Sequence, residues 1–162
     1  MDEEADRPGA GAAAQEGGSA GRDPLLGALR ELAEAYHAFA AYSAAHVREM
    51  GLTPAQFDVI ATLGNTQGMA LSQLAQRTLI TKGTLTGVID RLEAKGLVRR
   101  EVQSADRRSF RAVLTPAGEA LFARVFPAHI EHIRALFQDG TIDLGEIRRA
   151  LRVLRERFRA PV

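Results

Sequence analysis

Residues 83–100, GTLTGVIDRLEAKGLVRR, decide the fold because the spacing of their apolar residues changes partway along. The apolar residues from Leu85 to Leu92 recur at the i, i+3, i+4 and i+7 positions of a helix, and Gly96 marks its exit. From Leu97 onward, a run rich in Val and Arg has the composition of a β-strand. The stretch therefore predicts a helix over about residues 81–95 that is followed directly by a hairpin.

The predicted hairpin consists of two strands, over residues 97–103 and 109–114, joined by the charged connection 104–108. Upstream, a helix is predicted over residues 24–48, and a second begins at the capping box of Thr53 and Gln56. A short third helix is predicted over residues 72–78.

Two further helices are predicted downstream of the hairpin. Thr115 and Pro116 repeat the pattern of a cap followed by a proline, and Pro127 is expected to bend or interrupt the helix that they start. Asp143 and Glu146 form a capping pair for the last helix. The apolar face of that helix consists of Leu144, Ile147, Leu151, Leu154 and Phe158.

A helix pair followed by a hairpin is the winged helix-turn-helix arrangement, in which the second helix of the pair enters the DNA major groove. The predicted fold class is therefore mainly α with a small β-wing. The DNA-binding lobe spans residues 51–115, and an all-helical dimerisation region spans 24–50 and 116–160. Residues 1–23 have no apolar periodicity and are expected to form a disordered tail.

The charge of the chain is unevenly distributed, although its net value is only +1. Residues 1–23 hold six acids and two bases (−4), whereas residues 82–111 hold eight bases and four acids (+4). A local basic segment attracts a polyanion even in a nearly neutral chain, so double-stranded DNA is the expected partner.

The expected DNA contacts lie on the outer face of the helix and at the hairpin tip. Two glycines would let the backbone approach DNA, and the threonine hydroxyls can bond phosphates or base edges. Adjacent arginines in a strand point to opposite faces, so one could enter the minor groove while the other meets a phosphate or pairs with the nearby aspartate. The predicted contact residues are Thr81, Lys82, Gly83, Thr84, Thr86, Gly87, Arg91, Asp106, Arg107 and Arg108.

Several spaced motifs resemble the MarR (multiple antibiotic resistance regulator) family, over residues 24–160 in architecture and 51–121 in motif. They are Gly51-Leu52-Thr53-Pro54, Gln56-Phe57, Leu74-Ala75, the run from Gly83 to Arg100, Asp106-Arg107-Arg108, and Leu114-Thr115-Pro116-Ala117-Gly118. The resemblance implies a homodimeric bacterial transcription regulator, usually a repressor, whose first, fifth and sixth helices form the dimer interface.

The resemblance also implies roles for single residues. Arg108, with Arg107, matches the minor-groove reader of the wing, and Asp106 matches the acid that braces it. Arg91 matches the arginine that closes the recognition helix, where a bracing or phosphate role is expected. The chain departs from the family at residues 103–105, Gln-Ser-Ala, which replace a second pair of an acid and a base found in some members.

The apolar residues of the first and last helices exceed what one winged helix can cover, which independently favours a second copy of the chain. A two-fold dimer carries two recognition helices. The operator is therefore expected to be an imperfect palindrome with half-sites about one turn, ~10 bp, apart.

Many members of the family bind a small anionic aromatic effector, so the resemblance implies either such a ligand for this chain or a regulator without an effector. The candidate contacts are Tyr36, His37, Tyr42, His46, Arg48 and His129, with His132 nearby in sequence, although packing also explains each Tyr and His. A zinc site at His129 and His132, with His46, lacks an evident completing carboxylate or thiolate, so neither a metal nor a cofactor is expected. Cysteine-based sensing is excluded because the chain has no Cys.

The alternative interpretation is a winged-helix module for protein contact, in which the basic hairpin is only a solvated surface. An enzyme is disfavoured because the sequence has no nucleophile elbow, glycine-rich phosphate loop or paired carboxylates. The longest uncharged stretch, residues 59–76, is too polar to span a membrane, so no membrane partner and a cytoplasmic location are expected.

Overall fold

The structure, a computed structural model, describes residues 23–78, 80–102 and 110–160. These residues divide into two compact units, and the division falls within the first helix, between Tyr42 and Ser43. The described elements are, in order, α1 (Pro24–Glu49), α2 (Pro54–Leu63), β1 (Met69–Ala70), α3 (Leu71–Arg77), α4 (Lys82–Ala94), β2 (Val98–Val102), β3 (Phe110–Leu114), α5 (Pro116–Arg134), the 3-10 helix Ala135–Phe137, and α6 (Leu144–Arg159). This mainly helical fold with a small antiparallel sheet confirms the predicted fold class.

The inner face of α4 lies at the centre of the core of the second unit. Its four apolar residues at i, i+3, i+4 and i+7 are each 1% exposed or less, as the periodicity predicted. Burying one such side chain stabilises the fold by about 1.5–3 kcal/mol. The core also includes Val47, Leu52, Val59, Ile60, Leu63, Met69, Leu74, Val98, Ala112, Leu114, Phe122 and Val125.

The predicted capping box at the start of α2 is confirmed. The Gln56 backbone N–H donates to Thr53 Oγ1 at 3.2 Å, and Gln56 Oε1 accepts from the Thr53 backbone N–H at 3.1 Å. Two N–H groups that the helix leaves without a partner are thereby satisfied, which fixes where α2 begins.

The sheet has three strands in the order β1-β3-β2, and the sequence predicted only the two strands of the hairpin. Strand β1 is two residues long, too short to show an alternating pattern, and Met69 pairs with Ala112. Gly68 has a φ of +84°, and a Cβ at this position would lie 2.6 Å from the Ala112 carbonyl oxygen. Only glycine allows so close an approach in this conformation, so Gly68 permits β1 to join the sheet.

A compact junction connects the end of α4, the hairpin and the start of α5. The Thr115 backbone N–H donates to the Leu97 carbonyl at 3.0 Å, and its hydroxyl donates to the Gly96 carbonyl at 2.6 Å. The same hydroxyl oxygen accepts from the Gly118 N–H at 3.1 Å and so caps α5. Both ends of the hairpin are therefore fixed beside each other.

Helix α5 continues through Pro127 to Arg134, so the interruption that was one predicted outcome does not occur. Phe122 and Val125 before the proline and His129 after it are all buried. Packing on both sides of Pro127 compensates for the hydrogen bond that the proline cannot donate.

Helix α6 begins at Asp143, whose carboxylate accepts hydrogen bonds from the N–H groups of Gly145 at 2.7 Å and Glu146 at 3.1 Å. None of the helix's own residues is buried in the single chain. Its five predicted apolar residues are between 36% and 64% exposed. Within the described ranges, no helix is long and apolar enough to cross a membrane.

The junction generates a stability test at Gly118, where a Cβ would lie 2.0 Å from the Leu97 carbonyl oxygen. We expect Gly118→Ala to lower the free energy of unfolding by about 2–3 kcal/mol, because backbone atoms must move to accept the methyl group. Urea denaturation measures this decrease. The matched control is Gly27→Ala in α1, where a Cβ meets no atom within 4 Å. Equal effects of the two substitutions would contradict the proposed crowding.

Candidate nucleic-acid interface

The outer face of α4 presents the predicted helix residues together. Thr81 is the N-cap, and its Oγ1 accepts from the Thr84 backbone N–H at 3.4 Å. Both threonines are exposed, whereas Leu85 and Leu92 are buried in the core. The predicted residues that the structure leaves exposed or half-exposed on α4 and its cap are Thr81, Lys82, Gly83, Thr84, Thr86, Gly87 and Arg91.

The two glycines of α4 face open space. A Cβ at Gly83 would meet nothing within 4 Å, and one at Gly87 would meet only Arg91 Nη2, at 3.9 Å. Packing within the described chain therefore does not require glycine at either position, although each glycine costs the helix about 1 kcal/mol relative to alanine. The absence of side chains here suits the close approach of another molecule to the helix backbone.

The hydroxyl groups of this face already take part in local hydrogen bonds. Thr81 Oγ1 donates to Thr84 Oγ1 at 3.0 Å, and Thr86 Oγ1 donates to the Lys82 carbonyl at 3.3 Å. A hydroxyl that donates once still has acceptor capacity. Thr81 therefore caps the helix, Thr86 bonds to the preceding turn, and both remain exposed.

Glu101 joins the two strands of the hairpin electrostatically. It accepts two hydrogen bonds from Arg99, the shorter at 2.6 Å, and two from Arg111, the shorter at 2.7 Å. Arg111 is its direct cross-strand partner. The hydrogen bonds from Arg111, and then those from Arg99, hold the pKa of the Glu101 carboxyl below its usual value.

Arg100 pairs with two carboxylates of α4. Its guanidinium donates to Glu93 Oε2 at 2.6 Å and to Asp90 Oδ1 at 2.5 Å. Together with Arg99 and Arg111, it accounts for three bases of the basic segment that acids of the same segment neutralise. The sequence predicted the number of these charges but not their pairing, although the i, i+3 spacing of Asp90 and Glu93 on one side of a helix was a usable signal.

Three cations of the segment remain available at the described surface. Lys82, Arg91 and Lys95 form no ion pair with another described residue. Lys82 and Arg91 were predicted contacts, and both are exposed on α4. The predicted tip residues Asp106, Arg107 and Arg108 lie outside the described residues.

Three histidines from two helices form a cluster in the second unit. The Nδ1 atoms of His46 and His129 lie 3.0 Å apart, so one ring donates the shared proton and the other accepts it. The His46 ring also stacks on His132, with centroids 3.9 Å apart. Ser43 Oγ lies 3.0 Å from His129 Nε2, and the Phe57 ring meets His129 edge-on at 4.6 Å.

His129 is 3% exposed, and both of its ring nitrogens have partners. Burial, followed by the nearby His46 and His132, lowers the pKa of His129. Of the candidate effector contacts, the structure brings His46 and His129 together in the second unit, where Arg48 is exposed. Tyr36, His37 and Tyr42 belong to the first unit, and the rings of Tyr36 and His37 lie 6.1 Å apart.

The histidine cluster does not have the arrangement of a metal site. Across residues 23–78, 80–102 and 110–160, no group of three His, Cys, Asp or Glu side chains could hold a metal ion. The bond between His46 and His129 occupies nitrogens that a metal would need. A different titrating group, which the sequence did not reveal, is Asp58 on α2, whose pKa burial raises to about 6.

Comparisons with known proteins assign this arrangement to a family of regulators. A family model described as MarR family matches residues 50–109. The chain is similar to the HTH-type transcriptional regulator MhqR of Bacillus subtilis (strain 168), with 32% identity over 102 residues, or 63% of this chain and 70% of that protein.

Solved structures agree over a larger part of the chain. AbsC, a MarR family transcriptional regulator from Streptomyces coelicolor, matches with a TM-score of 0.74 and 32% identity over 85% of this chain and 95% of AbsC. BpsR of Bordetella bronchiseptica, whose DNA binding is described as regulated by 6-hydroxynicotinic acid, matches with a TM-score of 0.68 and 30% identity over 82% of this chain and 93% of BpsR. These relatives are transcription regulators of the MarR family and not enzymes, in agreement with the prediction of a regulator.

The histidine cluster generates a pH prediction. An unfolded histidine takes up a proton near pH 6.5, whereas folded His129 resists protonation, so its contribution to stability falls as pH drops below about 6.5. The slope from one such group is at most about 1.4 kcal/mol per pH unit. We expect His129→Gln, which does not titrate, to flatten the decline in the free energy of unfolding between pH 7.5 and 5.5.

Urea denaturation across this pH range measures the decline in both chains. Asp58 is common to both chains, so the difference between them reports on His129 together with its partners His46 and His132. The control is His37→Gln, at an exposed position of the first unit. The same slope in wild type and His129→Gln would contradict the prediction.

Proposed function

The chain belongs to the MarR family of transcriptional regulators, and from that premise we propose that it acts as a homodimeric repressor that binds a pseudo-palindromic DNA operator. The observation that carries this proposal is the outer face of α4. There Gly83 and Gly87 leave the helix backbone open, and Lys82 and Arg91 form no ion pair with another described residue. A positive surface with an accessible backbone suits the insertion of α4 into the major groove.

The hairpin tip supplies the second DNA contact in this proposal. Arg108, with Arg107, reads the minor groove, and Asp106 braces the inserted arginine. The neutralisation of Arg99, Arg100 and Arg111 by hairpin and helix acids supports this division, because these three arginines are already paired and are not the cations that DNA would contact. Phosphate contacts then set the register of α4 in the groove.

A second copy of the chain is proposed to cover the exposed apolar residues of the helical region. The stripe on α6 is exposed along its whole length, and Leu25 and Leu26 of α1 and Ile130 of α5 are also exposed. Apolar surface returned to water costs about 25 cal/mol per Å², so a stripe of this extent favours association. A two-fold dimer places two α4 helices against half-sites about one DNA turn apart.

We further propose that the lobe over residues 51–115 binds DNA, whereas the helical region over 24–50 and 116–160 forms the dimer. A small anionic aromatic ligand is proposed to release the DNA. The similarity to BpsR, which is described with 6-hydroxynicotinic acid, supports this class of effector. The candidate contacts remain Tyr36, His37, Tyr42, His46, Arg48 and His129.

Thermal-shift screening of phenolic and pyridine carboxylates identifies a ligand, because binding to the folded state raises the melting temperature. As a regulator of bacterial DNA, the protein would act in the cytoplasm.

The DNA proposal is tested by the salt dependence of binding to the DNA upstream of the protein's own gene. We expect Arg107→Ala combined with Arg108→Ala to weaken binding and to reduce the slope of log affinity against log salt by up to about two, one for each phosphate that the variant no longer neutralises. The matched control, Arg124→Ala combined with Arg134→Ala, removes the same charge from α5.

Fluorescence anisotropy at several salt concentrations measures both quantities. Unchanged affinity and slope in the Arg107 and Arg108 variant would exclude the wing role. A wild-type chain without salt-dependent DNA binding would instead favour the alternative function, a module for protein contact.

The dimer proposal is tested on α6, where Leu151 lies within the apolar stripe. We expect Leu151→Glu to give a monomer at micromolar concentration in sedimentation velocity, because a carboxylate would replace an apolar side chain at the interface and would lose its hydration when the dimer forms. Val153→Glu is the matched control. Two residues advance a helix by about 200°, so Val153 lies nearly opposite Leu151. A dimeric Leu151→Glu variant, or a monomeric wild type, would overturn the proposed interface.

A further inference from the structure

We propose that Arg100 is a positioning residue that holds the hairpin at a fixed place beside the recognition helix α4. It lies in the middle of β2, and its partners Asp90 and Glu93 lie one turn apart on α4. The proposal rests on the proposed DNA-binding function, because the hairpin and α4 must contact neighbouring grooves at the same time.

Three hydrogen bonds connect Arg100 to α4. The two ends of its guanidinium donate to Glu93 Oε2 at 2.6 Å and Asp90 Oδ1 at 2.5 Å. In addition, the Arg100 backbone N–H donates to Glu93 Oε1 at 3.3 Å. The side chain therefore spans two carboxylates, and Glu93 also holds the backbone of β2 itself. Charge-assisted bonds of this kind are about twice as strong as bonds between neutral groups.

The flat face of the Arg100 guanidinium packs on the second strand of the hairpin. Its central carbon lies 5.5 Å from the centre of the Phe110 ring, on β3. From its place on β2, Arg100 thus contacts both α4 and β3. Phe110 pairs with Val102 in the last described pair before the connection 103–109, so the contact lies close to the segment that carries Arg107 and Arg108.

Arg100 is poorly placed to bind DNA directly. Its side chain is only 25% exposed, and both ends of its guanidinium are occupied by carboxylates. Its Nε is buried and has no hydrogen-bond partner in the described part of the chain, which shows how closely the group is enclosed. The same pairing neutralises two acids on the helix that faces DNA, where uncompensated carboxylates would repel phosphates.

The first test compares Arg100→Lys with Arg99→Lys in DNA binding. Lysine keeps the positive charge but lacks the planar fork and the stacking face of arginine. We expect Arg100→Lys to weaken binding about tenfold, the effect of removing one charge-assisted hydrogen bond, with the salt slope unchanged. Arg99→Lys, which disturbs only the more exposed pair with Glu101, is expected to stay within about twofold of wild type by the same measure.

The second test measures the position of the hairpin without DNA. The chain has no Cys, so Val102→Cys and Gln76→Cys accept two nitroxide labels at defined sites on β2 and α3. Pulsed EPR, with excess unlabelled chain to isolate pairs within one protomer, gives the distance distribution. We expect Arg100→Lys to broaden or shift this distribution and Arg99→Lys to leave it unchanged.

The proposal requires both results. An unchanged distance distribution in Arg100→Lys would overturn the positioning role, even if affinity fell. A changed distribution with affinity within twofold of wild type would show that the position of the hairpin does not matter for binding. If the wild type itself fails to bind DNA, the proposed function fails, whereas the distance measurement still decides whether Arg100 holds the hairpin.

Discussion

The Leu97 carbonyl is the point on which the rest of the second unit depends. It accepts the Thr115 N–H, and Gly118 lies so close to it that no side chain fits between them. This contact closes the loop that contains the whole hairpin, and it sets where α5 begins. The hairpin therefore leaves and rejoins the helical core at one place. The proposed contact of α4 and the hairpin with DNA needs such a common base, because a small rotation at the base becomes a large displacement at the hairpin tip.

Local signals made most of the fold predictable from the sequence. The inner face of α4, the capping box of Thr53 and the caps at Thr115 and Asp143 all depend on residues a few positions apart, and the structure confirms each. Strand β1 was missed because its pairing with β3 is a long-range contact of two residues, made possible by Gly68. The uninterrupted course of α5 through Pro127 likewise depends on packing that no local pattern reveals.

The candidate site was only partly predictable for a related reason. The outer residues of α4 follow from the helical period once its buried face is known. The ion pairs were harder to predict, because a count of basic residues does not show which of them are paired with a carboxylate in the folded chain. Arg100 and Glu101 have partners 7 to 10 residues away in sequence, across a turn or a strand pair. The histidine cluster joins residues more than 80 positions apart, and only the folded chain brings His46 and His129 together.

The absence of buried residues on α6 has a consequence for the lifetime of the protein. A helix of 16 residues with no buried side chain is only marginally stable, so in a single chain it should open often and present its backbone to proteases. In the proposed homodimer the partner shields this helix. Unassembled chains would then be degraded faster than assembled ones, and cellular turnover would remove the excess of monomers. The abundance of the regulator would depend on its own association as well as on its rate of synthesis.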